Sequence, residues 1–285
     1  MKIVRFLGGL GNQMFQYAFY LSLSQKFGKV KADLKHFKDY PLHNGFELER
    51  IFNIKLKRAS KFQSKLYANE GSGFMFRKLR RVMGAKNAYY TEKRHFGYEP
   101  GIFHDQKSRY YWGYWQNLKY VSAVEKQLRK DFSFQVPLDE INSDLLNKIR
   151  FCKTVALHVR RGDYLSDPFL GGICDLEYYR QAIEIAKRRV QDPRFIVFSN
   201  DIAWCKASLD LEDAIYVDWN LGLNSYKDMQ LMSKCHNNII SNSSFSWWGA
   251  WLNNNKEAII IAPKRWMNLK ELDYSGLIPE NWITI

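Results

Sequence analysis

Two adjacent arginines, Arg160 and Arg161, stand in the run His158-Val159-Arg160-Arg161-Gly162-Asp163-Tyr164, directly after an apolar stretch. Guanidinium forks make charge-assisted, often bidentate bonds to phosphate oxygens and keep their charge near neutral pH. A neighbouring glycine lets main chain approach a ligand. The chemistry this suits is the gripping of a diphosphate. One of the two arginines is expected to pair with Asp163 instead, and Arg161 is assigned that structural part. A second clamp is expected where Ser241-Asn242-Ser243-Ser244-Phe245 leads into Ser246-Trp247-Trp248-Gly249-Ala250-Trp251. Serine and asparagine cap helices, and the first amides of a helix attract anions. The three tryptophans read as core. After Ser199, Asn200-Asp201 offers a carboxylate that could accept paired N–H donors from a guanine edge or cap the next helix, and both can hold at once.

Near the start, Gly8-Gly9-Leu10-Gly11-Asn12-Gln13 departs from the dinucleotide fingerprint, because Met14 stands where a third glycine belongs. As a nicotinamide signal it is weak. Gly9 and Gly11 still allow main chain close to a phosphate or sugar, and Asn12 and Gln13 add amide donors. Other chemistry is missing. There is no Asp-x-Asp pair at a strand end, no His-Glu-x-x-His, no clustered Cys/His spacing and no Gly-x-Ser-x-Gly elbow. A nucleotide diphosphate would then be held by arginine and helix N-termini, and neither a metal nor a cofactor is expected.

The elements that must position these loops follow from periodicity. Lys2–Leu7 alternates as a strand, and Met14–Phe27 has helical spacing that stops at Gly28. Helices are expected near Lys61–Ala68, Phe76–Val82, Val121–Lys130 and Ser143–Arg150, with a strand end at Gly113-Tyr114-Trp115-Gln116 and a linker at Pro137-Leu138-Asp139-Glu140. From Lys153 onward the pattern is regular. Strands are expected at Lys153–Val159, Arg194–Ser199, Ala214–Val217, Asn237–Ser241 and Glu257–Ala262. Helices fall between them at Leu176–Val190, from Asp201 to Leu209, at Ser225–Cys235 and at Ser244–Asn253. Strands alternating with helices imply an α/β fold with a parallel, doubly wound sheet, in which ligands bind at the C-terminal strand ends. That rule selects the loops after Leu7, Val159, Ser199 and Ser241.

At 285 residues and 46% apolar composition, the chain is globular and long enough for two domains. Charge divides it: residues 1–150 hold 28 basic and 13 acidic side chains, residues 151–285 hold 15 and 16. The expected domains are therefore 1–150, basic, and 151–285. A basic field suits nucleic acid or an anionic membrane face. A nucleic-acid binder would need aromatics among the basic residues on one platform, and Tyr67, Phe74, Phe76, Tyr89 and Tyr90 are the ones available. The basic excess lies away from the clamp loops, so nucleic acid is not the expected partner. No apolar run approaches the roughly 18–20 residues that span a bilayer, and the opening residues are too short for a secretory signal. Four cysteines without a CxxC pair read as reduced thiols in a cytoplasmic protein.

Three motifs in order, GGLGNQMFQYA (8–18), HVRRGDY (158–164) and SNSSFSWWGAWL (241–252), resemble the bacterial alpha-1,2-fucosyltransferase family, and HNGFEL (43–48) and GYWQ (113–116) fit its pattern. The resemblance implies a GT-B-type fold of two Rossmann-like domains facing a cleft, with GDP-fucose on the C-terminal domain and the acceptor on the N-terminal one. It implies inverting, metal-independent transfer of L-fucose to the 2-hydroxyl of a galactose in a surface glycan. It places Arg160 on the diphosphate, His158 near the nucleotide, Asp201 on guanine, Ser243, Ser244 and Phe245 at the β-phosphate side, and Asn12 near fucose. Gly9, Gly11 and Arg161 would support the site. A general base for the acceptor hydroxyl is open among Asp163, Glu47, His43 and Asp39. An acceptor on a lipid-pyrophosphate carrier would bring the basic half against an anionic membrane face. Another GDP-sugar or fucose linkage would use the same clamps.

Overall fold

A computed structural model describes residues 1–38, 43–68, 73–269 and 272–285; Asp39, one of the four base candidates, lies outside them. The chain forms two compact units, residues 1–135 with 275–277, and residues 136–274 with 278–285. The division falls at 135 rather than after 150 because the helix Glu140–Lys148 belongs with the second unit. Asp139 caps that helix and also pairs with Lys227 at 2.7 Å, while Asn142 exchanges hydrogen bonds with Asn220 and accepts one from Trp219. These bonds fix the entry to the second unit before its first strand.

The first unit carries β1 (Lys2–Arg5), α1 (Leu10–Phe27), β2 (Val30–Asp33), α2 (Leu48–Phe52), α3 (Lys61–Tyr67), α4 (Phe74–Val82), β3 (Tyr89–Thr91), β4 (Arg109–Trp112), α5 (Leu118–Ser122) and α6 (Glu125–Asp131). Its four strands are parallel in the order β2-β1-β4-β3. α1 is buried along most of its length; Phe19 stacks on Trp115 at 4.0 Å, and Gly28 at φ +72° ends the helix by donating to Ser24. The single helix expected over Val121–Lys130 is two, broken at Ala123 and Val124. β2 and β3 carry no apolar run and are strands by pairing alone.

The second unit carries α7 (Glu140–Lys148), β5 (Lys153–Val159), α8 (Leu176–Arg189), β6 (Pro193–Ser199), α9 (Ile202–Ser208), β7 (Ile215–Val217), α10 (Tyr226–Met232), β8 (Asn237–Ile239), α11 (Ser244–Trp251), β9 (Ile260–Ala262) and β10 (Ile283–Thr284). The sheet runs β10-β9-β8-β5-β6-β7, all parallel. From β5 the chain winds outward to β6 and β7, then returns to the other side of β5 for β8, β9 and β10. The reversal of strand order therefore lies between β5 and β8, where a crevice forms at the C-terminal ends of such strands. The centres of β5 and β6, residues 155–157 and 195–198, are continuous apolar runs, as expected where helices cover both faces of a parallel sheet. Trp247 and Trp248 are fully buried, and Trp247 packs against Trp282 at 5.6 Å, so these tryptophans are core.

Candidate functional site

The loops after β5 and β8, which flank the reversal, are joined by side chains. His158, the penultimate residue of β5, places Nδ1 2.8 Å from the Ser241 hydroxyl. Burial, with the Arg160 charge nearby, lowers the His158 pKa to about 3, so the imidazole is neutral at physiological pH. Phe245 packs over the same ring at 5.9 Å. Tyr164 makes the second tie. Its hydroxyl donates to the Asn242 carbonyl at 3.5 Å and meets the Ser243 side chain, while its ring lies under the Arg160 guanidinium at 5.4 Å. Arg160, Tyr164 and the start of α11 thus form one connected set. Tyr164 is a residue that sequence reasoning passed over, although it closes the same heptapeptide as the arginines.

Ser243 occupies the cap position of α11, but its side chain makes no capping bond to the helix. Its hydroxyl is turned to Tyr164 instead. Asn242 anchors the loop from behind, donating to the Leu170 and Trp266 carbonyls at 3.0 and 3.2 Å. Ser244 and Phe245 are half-buried at the helix start.

Both arginines have carboxylate partners, and the pairing differs from the expected one. Arg161 does not pair with Asp163; its Nε meets Asp201 at 3.2 Å and its guanidinium stacks on Trp204 at 4.0 Å. Asp163 pairs with Arg160, Nη2 to Oδ2 at 2.8 Å. The reason is the register of β5 against β6, in which Val159 stands opposite Ser199. Two residues past each strand end, 161 and 201 are again neighbours. Asn200 reinforces the junction by accepting from the Arg161 amide at 2.9 Å. Gly162 takes φ +35°, which other side chains rarely adopt, and a Cβ there would lie 2.2 Å from the Asn200 side-chain nitrogen and displace it. Asp201 also caps α9 by accepting from the Trp204 amide at 3.2 Å. The carboxylate expected on a guanine edge is thus engaged on both oxygens within the protein.

In the first unit, the glycine loop after β1 is held from below by two buried glutamines. Gln13 donates to the Gly8 and Gly45 carbonyls, each at 2.9 Å, and accepts from the Glu47 amide at 2.9 Å. Gln16 accepts from Leu7 and donates to Gly113. Gln13, expected to offer its amide outward, is consumed in fixing the loop. Asn12 is half-buried and accepts from Gln116 at 2.8 Å, which joins the GNQ and GYWQ motifs. Gly8 takes φ +77°, and a Cβ on Gly9 would meet the His43 ring at 3.3 Å. Gly11 is buried in the first turn of α1. Glu47 is almost wholly buried and pairs with Arg50 at 2.8 Å; burial pushes its pKa up against that pairing.

Glu92, absent from the sequence-based candidates, accepts from the Tyr114 and Trp115 amides at 2.8 and 3.1 Å and holds the turn in which Trp115 takes φ +57°. Burial raises its pKa to about 7 despite these bonds. Nothing in the local sequence marks it, because its partners lie more than twenty residues away. All four cysteines are free thiols. Among the described residues, no three His, Cys, Asp or Glu side chains gather to hold a metal ion, and no helix is long and apolar enough to cross a membrane.

The chain is similar to known glycosyltransferases. An alpha-1,2-colitosyltransferase of Escherichia coli is 35% identical over 99% of this chain and 98% of its own length. The O-antigen biosynthesis glycosyltransferase WbnK of Escherichia coli is 32% identical, covering 98% of each chain. Human galactoside alpha-(1,2)-fucosyltransferase 1 is 30% identical over 45% of this chain and 39% of its own. Among solved structures, the fucosyltransferase NodZ from Bradyrhizobium superposes with a TM-score of 0.53, covering 88% of this chain and 93% of its own at 15% identity; the same enzyme soaked with GDP-fucose gives 0.50. The fold is thus the α/β, GT-B type with two Rossmann-like units. The model of glycosyl transferase family 11 matches residues 1–285, and the chain belongs to that family.

Proposed function

We propose that this glycosyltransferase moves L-fucose from GDP-fucose to the 2-hydroxyl of a galactose residue in a surface glycan, with inversion. The reading rests on one geometric fact: the His158–Ser241 bond and the Tyr164 contacts join the arginine loop to the start of α11 at the strand-order reversal. In such a reaction the acceptor oxygen forms a bond to the sugar C1 while the C1–O bond to the β-phosphate breaks, and GDP leaves with added negative charge. Stabilising that charge is the main electrostatic task. Arg160 is the cation for it, with Asp163 as its partner until phosphate arrives. The amides and hydroxyls at Ser243 and Ser244 complete the clamp, and neutral His158 adds no charge of its own. Arg161, locked to Asp201 and Trp204, shapes the loop. The names of the relatives, alpha-1,2 linkages and a galactoside acceptor among them, support the linkage and acceptor. NodZ soaked with GDP-fucose supports the donor class.

Metal independence is part of the proposal and is supported by the cationic character of the clamp. The acceptor hydroxyl loses its proton to a base among Asp163, Glu47, His43 and Asp39. Asp163 stands in the clamp loop itself, and Glu47 is sequestered. We place the acceptor on a lipid-pyrophosphate carrier at the cytoplasmic membrane face.

A second donor has specific support, because the colitosyltransferase covers nearly the whole chain. Colitose is fucose without its 3-hydroxyl, so the same clamp would serve. Initial rates with GDP-fucose, GDP-colitose and GDP-mannose on a β-galactoside acceptor decide between them, with product linkage read by NMR. An alpha-1,2-fucosyl product formed in excess chelator is expected. Preference for GDP-colitose would replace the donor, and loss of transfer on chelation would overturn the metal-free clamp.

A further inference from the structure

α4 is built the wrong way round for a helix that serves only the core. Its inner side, Phe76 and Leu79, packs on the cluster of Leu66, Tyr67, Ala85 and Ala88, and also carries the buried Arg80, whose Nε donates to the Leu66 carbonyl at 3.0 Å. Its outer side holds Phe74, Met75 and Val82, each about three-quarters exposed at 76%, 77% and 78%. At 100° per residue these three fall within one third of the helix circumference, with Lys78 between them and Arg77 and Arg81 along one flank. All three basic side chains are exposed. Phe62 on α3 and Met83 just past α4 are exposed as well, at 50% and 45%. Large apolar side chains grouped on one exposed face mark an interaction site rather than a solvated surface.

Charge selects the occupant. Residues 55–91 contain ten Lys and Arg and a single acid, Glu70. A helix with aromatic and aliphatic side chains on one face, bordered by Lys and Arg, lies in the plane of a bilayer interface: the apolar groups enter the acyl boundary and the cations meet anionic headgroups. Stacking on nucleic acid is poorly served here. Tyr67 is buried in the cluster, Tyr89 lies flat on Tyr110 at 5.7 Å, and Phe76 faces Phe62 and the Lys65 ammonium. We propose that the outer face of α4 is a docking surface for an anionic lipid bilayer, with Phe74, Met75 and Val82 inserting and Arg77, Lys78 and Arg81 holding the headgroups. This surface stands without the donor assignment, since a transferase of any nucleotide sugar could use it.

The test is flotation of the full chain with phosphatidylcholine vesicles, with and without about one third phosphatidylglycerol. Binding is expected only with the anionic lipid, falling steeply with salt. Combined Arg77→Gln, Lys78→Gln and Arg81→Gln should lower partitioning by about a hundredfold, at about fivefold per cation. Combined Phe74→Ser, Met75→Ser and Val82→Ser should abolish retention. A Phe74→Trp chain should show a blue shift and quenching by brominated acyl chains, which needs no loss-of-function variant. Transfer to a soluble acceptor should match the parent in every variant, so failure of docking is read apart from failure of the enzymatic reading. Equal binding to neutral vesicles, parental binding by both variant sets, or an indole left unquenched in the Phe74→Trp chain would each overturn the proposal. So would self-association that the serine variant removes, or oligonucleotide binding that replaces vesicle binding.

Discussion

Arg160 and Arg161 are adjacent in sequence and opposite in expected consequence. Arg160 meets Asp163 three residues on in a pair that is largely exposed, worth on the order of 0–1 kcal/mol. Arg161 reaches across forty residues to Asp201 and stacks on Trp204, which together contribute roughly 1–2 kcal/mol. Arg160→Ala should therefore reduce kcat by about 10²–10³ while shifting Tm little, the loss typical of removing one preorganised donor to a developing anion. Arg161→Ala should lower Tm as well as activity. Steady-state kinetics and calorimetry on both variants check the contrast; near-parental turnover in Arg160→Ala would remove it from the clamp. The residue types were legible in the sequence, since diarginine followed by Gly-Asp names a phosphate chemistry. The partners were not. Pairing of Arg161 with Asp201 is a consequence of the β5–β6 register, and register is a long-range property that no local window contains.

At the scale of elements, the second unit was readable and the first only in part. β5 and β6 are seven-residue strands, buried at six and at four positions and bounded by turn signals, which sequence patterning captures well. β2, β3 and β10 have four, three and two residues, and β2 and β3 carry polar or tyrosine-rich sequence without alternation. Only their neighbours make them strands. The glycine loop was found by its composition, yet what shapes it is Gln13 and Gln16, both 0% exposed. Gln13 satisfies two carbonyls and one amide, tying the glycine loop at Gly8 to the segment that holds Gly45 and Glu47. Gln13→Ala would leave these buried groups unpaired, at about 1–3 kcal/mol for each that water cannot reach. The expected result is a Tm lowered by several degrees, together with a raised KM from loosening of the loop that carries Asn12. Unchanged Tm would mean that the glycines hold their own shape and the glutamine is dispensable.

For the whole molecule, charge is arranged at two depths. The basic excess sits in residues 1–150, while desolvated ionisable groups, Glu92, Asp228 and His158 among them, couple folding to pH in both units. In the first unit, burial raises Glu92 to about 7 against the bonds from Tyr114 and Trp115, with Glu99 adding to the rise. In the second, burial raises Asp228 to about 7 against its bond from Asn220. For both, the folded state holds a proton that the unfolded chain has already released between about pH 4.5 and 7, so their contribution to stability falls as pH rises through that window. His158 has the opposite sign. Its folded pKa is lowered to about 3, so between about pH 6.5 and 3 the unfolded chain takes up a proton that the native state refuses, and stability is lost as pH falls. Measured by calorimetry from pH 5 to 8, Asp228→Asn and Glu92→Gln should each gain Tm relative to the parent as pH rises. His158→Gln should gain relative to the parent as pH falls. Opposite slopes from Glu92 and Asp228 on one side and His158 on the other would show that these proton-linked groups, rather than the basic surface, set the pH optimum of stability; three parallel curves would assign it to the surface instead.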